Sequence, residues 1–323
     1  MKPPFESIIE YASLAPSQHN TQPWKFSIEG HYIKLHPDFS RELPVIDPDH
    51  HELYISMGCV LENFIIAANH FGYNANVMYD LDSEDENILI HLYETDTKQF
   101  EPLFNAIEKR HVNRKGYNGE DIPLKDLGYL IKHSEEKDVS IKLISNQAEI
   151  KQITTLVKEA CILQYKNPLF KEELLHWMRF NEKTALQTKD GLRSATLGFS
   201  DLSEEMGKLL FTKFATAKKE AGRTERLIES SSALVLFTAK TKDKKNWVQL
   251  GRSFERFALL ATAGNISHSH INMPCEEVQV RQQLKQLLHL NNEEPLLLIR
   301  MGYAVNETPA TYRRPVKELM MEE

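Results

Sequence analysis

Apolar positions recur along this chain in two rhythms. Phe5, Ile8, Ile9 and Ala12 share one face at helical spacing, with two prolines just ahead of the first turn, so residues 4–14 are expected as a helix. Trp24, Phe26 and Ile28 alternate with Lys25 and Ser27, and Tyr32 to Leu35 returns after a Glu29-Gly30-His31 turn, which reads as a hairpin. A long helix is expected from an Asp49 cap through Phe71, closed by Gly72. The same reading predicts strands over 75–79, 88–93, 139–144, 233–239 and 296–301. It predicts helices over 100–109, 124–135, 147–178 (interrupted at Pro168), 204–221, 247–263 and 276–288. Residues 184–203 have no periodicity, carry Gly191 and Gly198, and read as a long loop; loops of such length are usually functional or mobile. The pattern is α+β, with helices too long for a sandwich or barrel.

One similarity organises these elements. Gly58, Glu62, Phe64 and Ala68 in the first long helix match Gly251, Glu255, Phe257 and Ala261 in a later one at identical spacing. Each helix also precedes an expected strand. The match reads as an internal duplication, and a duplicated unit of this kind behaves as a dimer folded from one chain.

Length and charge bound the function. At 323 residues the chain is long enough for two coupled units. With 39 Lys and Arg against 46 Asp and Glu, its net charge of −7 argues against a nucleic-acid partner. Three scattered cysteines, none in a CxxC pair, exclude a disulfide framework and a zinc ribbon. The most apolar stretch, Leu53 to Phe71, is broken by Glu62, Asn63, Asn69 and His70, so no membrane span is expected. The N-terminus has no uninterrupted apolar segment after a basic start, and a cytoplasmic protein is expected. No GxGxxG after a strand, GxxxxGK[ST], HExxH or GxSxG occurs. His268 and His270 could share one strand face as a metal pair. No third ligand stands nearby, so packed or solvated imidazoles are the simpler reading and no metal site is expected.

Three clusters carry candidate chemistry. Arg110-His111-Val112-Asn113-Arg114 follows a helix end, and Thr311-Tyr312-Arg313-Arg314-Pro315 lies near the C-terminus. The rigid donor fork of arginine suits a phosphate, and two such clusters converging could hold a dianion. The simpler reading of either alone is an exposed basic patch. The third cluster, Ala15-Pro16-Ser17-Gln18-His19-Asn20-Thr21-Gln22-Pro23-Trp24-Lys25-Phe26, sets hydroxyl and amide groups in a loop between helix and strand. Such a loop can aim hydrogen bonds at a heterocycle edge, or it can merely satisfy the backbone of a turn.

That loop resembles the A-P-S-x-x-N-x-Q-P-W-x-F signature of the FMN-dependent nitroreductases. Residues 110–114 are similar to the family's arginine phosphate motif, and Gly302-Tyr303 and Arg313-Arg314-Pro315 to its closing segments. Thr224 to Phe237 resembles the helix and strand that follow in that fold. The loop and the arginine motif each occur once, in different halves, which resembles the Acg-type subfamily. That resemblance implies a nitroreductase-like α+β fold in which two pseudo-repeats, residues 1–99 and 100–323, mimic the family homodimer and keep one FMN site.

By position, the resemblance assigns the phosphate to Arg110 and Arg114, with Arg313 or Arg314, beside His111 and Asn113. Pro16, Ser17 and Asn20 would reach the isoalloxazine from the other half, and Asn272-Met273 would bring backbone to flavin N5. Val112 stands where the family has serine, and Asn113 is the candidate substitute. Residues 184–203 replace a second copy of the loop and are expected as a lid. The implied activity is NAD(P)H-dependent two-electron reduction of a small nitroaromatic or quinone-like acceptor. No catalytic side chain and no further oligomer is required. The alternative is an FMN-sequestering protein with a covered flavin and little turnover.

Overall fold

The computed structural model describes residues 4–198 and 200–321. Two four-stranded antiparallel sheets carry it. The first runs Trp24–Glu29, Tyr32–Pro37, Asn87–Glu94, Tyr73–Asp80 in spatial order, and the second Val139–Ile144, Ala233–Ala239, Glu294–Gly302, Ser267–His270. The expected hairpin pairs Phe26 with Leu35 and turns at Gly30, whose φ of 64° lies in the left-handed region that glycine enters without a Cβ clash. The mixed helix-and-sheet class and the two-repeat organisation expected from the sequence are what the chain adopts.

Between the sheets cross two 20-residue helices, His51–His70 and Lys244–Ala263. The first has 18 of its residues buried, so it is covered on every side and not amphipathic. The matched glycines lie where the two backbones touch. A Cβ on Gly58 would fall 2.0 Å from the Val248 carbonyl oxygen, and one on Gly251 would fall 1.9 Å from that of Ile55. Ile55 precedes Gly58 by the same three residues as Val248 precedes Gly251, so the contact is reciprocal, as across a two-fold axis. The matched glutamates sit one helical turn further on. Glu62 is clamped by Arg252 Nε at 3.0 Å and Arg256 Nη2 at 2.7 Å, while Glu255 faces Arg110 Nε at 3.2 Å.

One core runs continuously from the first sheet through both crossing helices to the inner face of the second. A smaller core lies on the second sheet's other face, under Gln147–Lys166 and Val278–Leu287. A third links Leu43 and Ile46 to Phe170, Leu174, Trp177 and Leu192. The C-terminus returns to the first half, where Met321 N–H donates to the Phe26 carbonyl at 2.8 Å.

Four expectations need correction. Asp49 does not cap the first long helix: His50 precedes it with φ 60°, and the Asp47 carboxylate accepts from the N–H groups of Glu52 (3.1 Å) and Leu53 (2.9 Å). Residues 184–203 are not an extended loop but hold Glu182–Thr188, Ser194–Leu197 and a short parallel pairing of Met178–Arg179 with Leu192–Arg193. Phe199, inside that range, is outside the described residues. The helix expected over 204–221 is two, Glu204–Phe214 and Ala217–Glu229, parted at Ala215 and Thr216. The helix expected over 276–288 is likewise split, into Met273–Glu276 and Val278–Leu287.

The glycine contact makes a directional prediction. Gly58→Ala or Gly251→Ala should lower unfolding stability by about 3 kcal/mol or more, at the upper end of overpacking costs. Gly128→Ala, in helix Leu124–Lys132 with nothing within 4 Å of the added carbon, should raise it by about 0.5–1 kcal/mol. Urea unfolding midpoints check both. Equal midpoints for wild type and Gly58→Ala would remove the glycine crossing as a constraint.

Candidate functional site

A cavity of about 710 Å³ opens between the crossing helices, the second sheet and the segment that follows residue 165. A smaller one of about 70 Å³ adjoins it, and Pro16, Ser17, Val112, Arg114 and Leu192 line both. The helix Phe5–Ser13 delivers the Pro16–Asn20 loop to this junction, and the short helix Glu101–Ile107 delivers Arg110–Arg114.

The loop is held by its own hydrogen bonds. Ser17 Oγ accepts from Gln22 N–H at 2.9 Å, and His19, Asn20 and Gln22 all have positive φ. Non-glycine residues there carry strain that surrounding contacts must hold, a condition met most often at functional sites. Asn20 spends its amide N–H groups on the carbonyls of Gly191 and Tyr312, both at 3.2 Å, and lines the small cavity. Its Oδ1 is buried without a partner.

Positive charge gathers in the small cavity. Arg110 and Arg313 both donate to the Leu14 carbonyl, at 3.2 and 3.1 Å. Arg110 Nε and Nη1 and Arg313 Nε are buried with no hydrogen-bond acceptor; Glu255 is near Arg110 but misaligned for a bond. Among the described residues Arg114 has no hydrogen bond and no carboxylate within 4 Å, neither Glu108 nor Glu120 included. Burial, with Arg223 next in weight, lowers it to about 10. Burial and then Arg110 bring Arg313 to about 9 despite Glu255. Burial also raises Glu255 to about 7, against the pull of Arg110 and Arg313.

The imidazoles nearby add no further positive charge. Burial and Arg114 lower His19 to about 4, and burial with Arg114 and Arg110 lowers His270 to about 3. His268 is also buried and held well below its usual range; its ring stands 6.4 Å from that of His270, almost perpendicular. An enclosure with several cations and too few acceptors is built for an anion.

The sequence-predicted residues therefore divide. Pro16, Ser17, Arg114, Asn272 and Met273 line the large cavity, and Asn20, Arg110, His111 and Arg313 join at the small one. Asn113 and Arg314 line neither. Asn113 ties its loop to Asn306 and Lys115. Arg314 lies 3.8 Å from Asp38 and donates to the Glu318 carbonyl at 2.9 Å.

Residues 192–202 line the large cavity through Leu192, Ser194, Leu197 and Leu202, but the cover is broader than 184–203. It also takes in Phe170 and Phe180 before that range, and Phe211 and Phe214 after it. Arg41 and Arg179 both grip Asp190, the latter at 2.6 Å, and Gln22 reaches the Lys189 carbonyl at 2.9 Å. Sequence reasoning missed His19, Glu52, Gln164, Arg223, His270 as a lining residue, and Glu276. His19 stood inside the quoted loop; the others have no local signal.

No family model matches the chain. Two candidate NAD(P)H nitroreductases of Mycobacterium tuberculosis are similar over almost its whole length. One is 23% identical over 323 residues, covering 97% of this chain and 90% of its own. The other, Acg, is 23% identical over 330 residues, covering 98% and 94%. A Bacteroides fragilis nitroreductase with bound FMN aligns at 14% identity and a TM-score of 0.39, over 66% of this chain and 93% of its own. An iodotyrosine deiodinase bound to FMN and 3-iodo-L-tyrosine aligns at 13% and 0.44, over 66% and 95%. The chain is thus nitroreductase-like in sequence from end to end. No helix among the described residues is long and apolar enough to cross a membrane.

The unpaired arginine has a signature without any cofactor. At neutral pH Arg114 is charged in both folded and unfolded chains, so the full cost of burying it is present. That cost eases only as pH climbs from about 10 toward the unfolded value of 12.5. Arg114→Ala should therefore leave the melting temperature in phosphate-free buffer unchanged or higher. Inorganic phosphate should raise wild-type melting and have little effect on the variant. Lower stability of Arg114→Ala in phosphate-free buffer would mean a structural ion pair instead.

Proposed function

We propose that the chain binds one FMN and uses it as an NAD(P)H-dependent oxidoreductase acting on small, flat electron acceptors. The single observation that carries this reading is the unpaired arginine cluster beside a large cavity. Its orphaned donors at Arg110 and Arg313, with Arg114 unpaired beside them, fit a dianionic phosphate, with His111 alongside. The sequence resemblance of the chain to nitroreductases supports FMN as the phosphate's owner.

When bound, FMN supplies the two-electron chemistry, accepting from NADH or NADPH and passing on to a nitroaromatic or quinone. The protein's part is to bind, orient and exclude water. Arg114, Arg110 and Arg313 would fix the phosphate end. Pro16 and Ser17 would meet the ring from the first half, with Asn272 and Met273 from the second. Asn272 is itself fixed, since its Oδ1 accepts from Leu298 N–H at 2.8 Å. Asn20 would act through the cover, by holding Gly191. Sequestration without turnover is not favoured: about 710 Å³ lies high in the roughly 300–1,000 Å³ range of ligand pockets, leaving space for an acceptor beside a ring.

Two measurements test the reading. FMN should bind at about one per chain and be bleached by NADH or NADPH. Arg114→Ala should weaken FMN by about ten- to a hundredfold, from a charged hydrogen bond of about 1.5–3 kcal/mol. Riboflavin, which has no phosphate, should bind both proteins alike; parallel loss of the two would remove Arg114 from the phosphate.

The cover should govern access. Asp190→Asn, which weakens the grip of Arg41 and Arg179, should speed flavin reduction by NAD(P)H in protein that still holds its flavin. Unchanged reduction kinetics would show that this segment is no gate.

A further inference from the structure

Two carboxyl groups in the wall of the large cavity have no part in holding a phosphate. Glu52 belongs to the first turn of the first crossing helix, and Glu276 to the short helix after Asn272; Glu52 is buried, Glu276 is half-buried, and both line the cavity. Each lies close enough to alter the other's affinity for a proton. Their donors can be counted. Glu276 Oε1 accepts from Gln18 at 3.3 Å and Oε2 from Gln164, while Glu52 Oε1 accepts from Asn272 Nδ2. Glu52 Oε2 is buried with no donor. Four oxygens thus meet three N–H groups, and a proton shared by the pair supplies the missing donor.

We propose that Glu52 and Glu276 hold one shared proton in the cavity wall and deliver it to the acceptor during its reduction, as the general acid of the reaction. This rests on the oxidoreductase reading. Reducing a quinone by two electrons with NAD(P)H consumes one proton beyond the hydrogen that the dihydronicotinamide gives up. As the electron pair and that hydrogen pass to the quinone, an acceptor oxygen gains electron density. The carboxyl O–H bond breaks with its electrons left on the glutamate, and a new O–H bond forms on the acceptor. Nicotinamide is oxidised and quinone reduced to hydroquinone. The pair, now carrying two negative charges, recovers a proton from water.

The surroundings suit this role. Burial pushes both carboxyls up, and for Glu52 the charges of Glu276 and Asp47 push the same way. Two adjacent carboxylates in a cavity wall resist joint ionisation, which favours keeping one proton between them. The neighbours are Asp47 and His51 at the same helix start, Gln18 from the loop, Gln164 from helix Gln147–Lys166, and Asn272. Cys275, with Arg281 beyond it, lies behind the pair. His51, buried between Asp47 and Asp49, has its affinity for a proton raised by them. Gln18 sits in the loop expected to meet the cofactor, which brings the acid close to that ring.

The test uses the full chain and two isosteric variants, Glu52→Gln and Glu276→Gln. Infrared spectra of protein labelled with ¹³C-glutamate, taken without FMN, should show a protonated carboxyl band at neutral pH that both variants lose. In FMN-loaded protein, reoxidation by a quinone should slow by about a hundredfold or more in either variant, within the general-acid range. Reduction by NAD(P)H should change little. The wild-type reoxidation rate should fall as pH rises through the raised range of the pair, and the variants should lose that dependence. A wild-type spectrum with no carboxyl band that both variants lose (Glu255 keeps its own in all three), or variants that bind FMN and reoxidise at the wild-type rate, overturns the proposal. A wild-type chain that takes up no FMN overturns the oxidoreductase reading and this step with it, and colourless protein tells that failure apart.

Discussion

The approach of Gly58 to Gly251 is the contact on which the rest depends. With no side chain at either position, two long helices meet backbone to backbone, and Cys59 Sγ donates to the Gly251 carbonyl at 3.4 Å across the crossing. Close-packed interiors transmit such a constraint because they cannot deform gradually. Glu255 lies one turn beyond Gly251, so fixing the crossing fixes the carboxylate that faces Arg110. Arg110 and Arg313 share the Leu14 carbonyl at the end of the first helix. The Pro16–Asn20 loop and the arginines at 110 and 313 are therefore brought together through one glycine pair.

Both crossing helices carry a glutamate at the matched position, and the chain puts the two to different uses. Glu62 takes Arg252 and Arg256 from the opposite helix, and Arg256 also reaches Glu136 at 3.3 Å, so its charge is balanced within the core. Glu255 faces Arg110 without an aligned hydrogen bond, and burial raises it to about 7. A buried ion pair of poor geometry recovers little of its desolvation cost. What it can do is keep a buried arginine in place while leaving the guanidinium's other edge free. A homodimer repeats every such choice on both sides of its axis, whereas covalently joined halves can diverge. The asymmetry of the two glutamates is thus the physical counterpart of motifs that occur once.

Much of this was legible in the sequence because it was local. Periodicity marked the strands at 139–144 and 233–239 to the residue, since each half-buried or buried run is bounded by polar turns. The glycine and glutamate match was legible as a duplication, but that its glycines meet at a helix crossing was not, because the contact joins residues 58 and 251. The cap was misread for want of one fact that is not local in type. Asp49 stood nearest the helix, but the left-handed turn at His50 hands the capping to Asp47. The segment 184–203 hid its short helices because each is a turn or two long, below the length at which periodicity registers. Arg314 and Asn113 were chosen with their neighbours, yet adjacent residues in a loop point in different directions. Glu52 and Asn272 are separated by 220 positions, and nothing in either neighbourhood announces the other.

The large cavity is chemically two-sided, and the division follows the origin of its walls. The loop, the arginine motif and Asn272 contribute Ser17, Gln18, His19, Arg114 and Asn272, of which Ser17 and Asn272 are fixed by bonds to backbone. The cover contributes Phe170, Leu174, Phe180, Leu197, Phe211 and Phe214. A wall of that kind reads shape and not hydrogen-bonding pattern, and one methylene against it discriminates by only about 1–3 kcal/mol. Choice among acceptors is left to how the cover packs, and the cover is anchored by Asn20, Gln22 and Arg41, residues of the first half. The loop and the cover are therefore one mechanical unit, so a change in either alters the shape of the whole cavity.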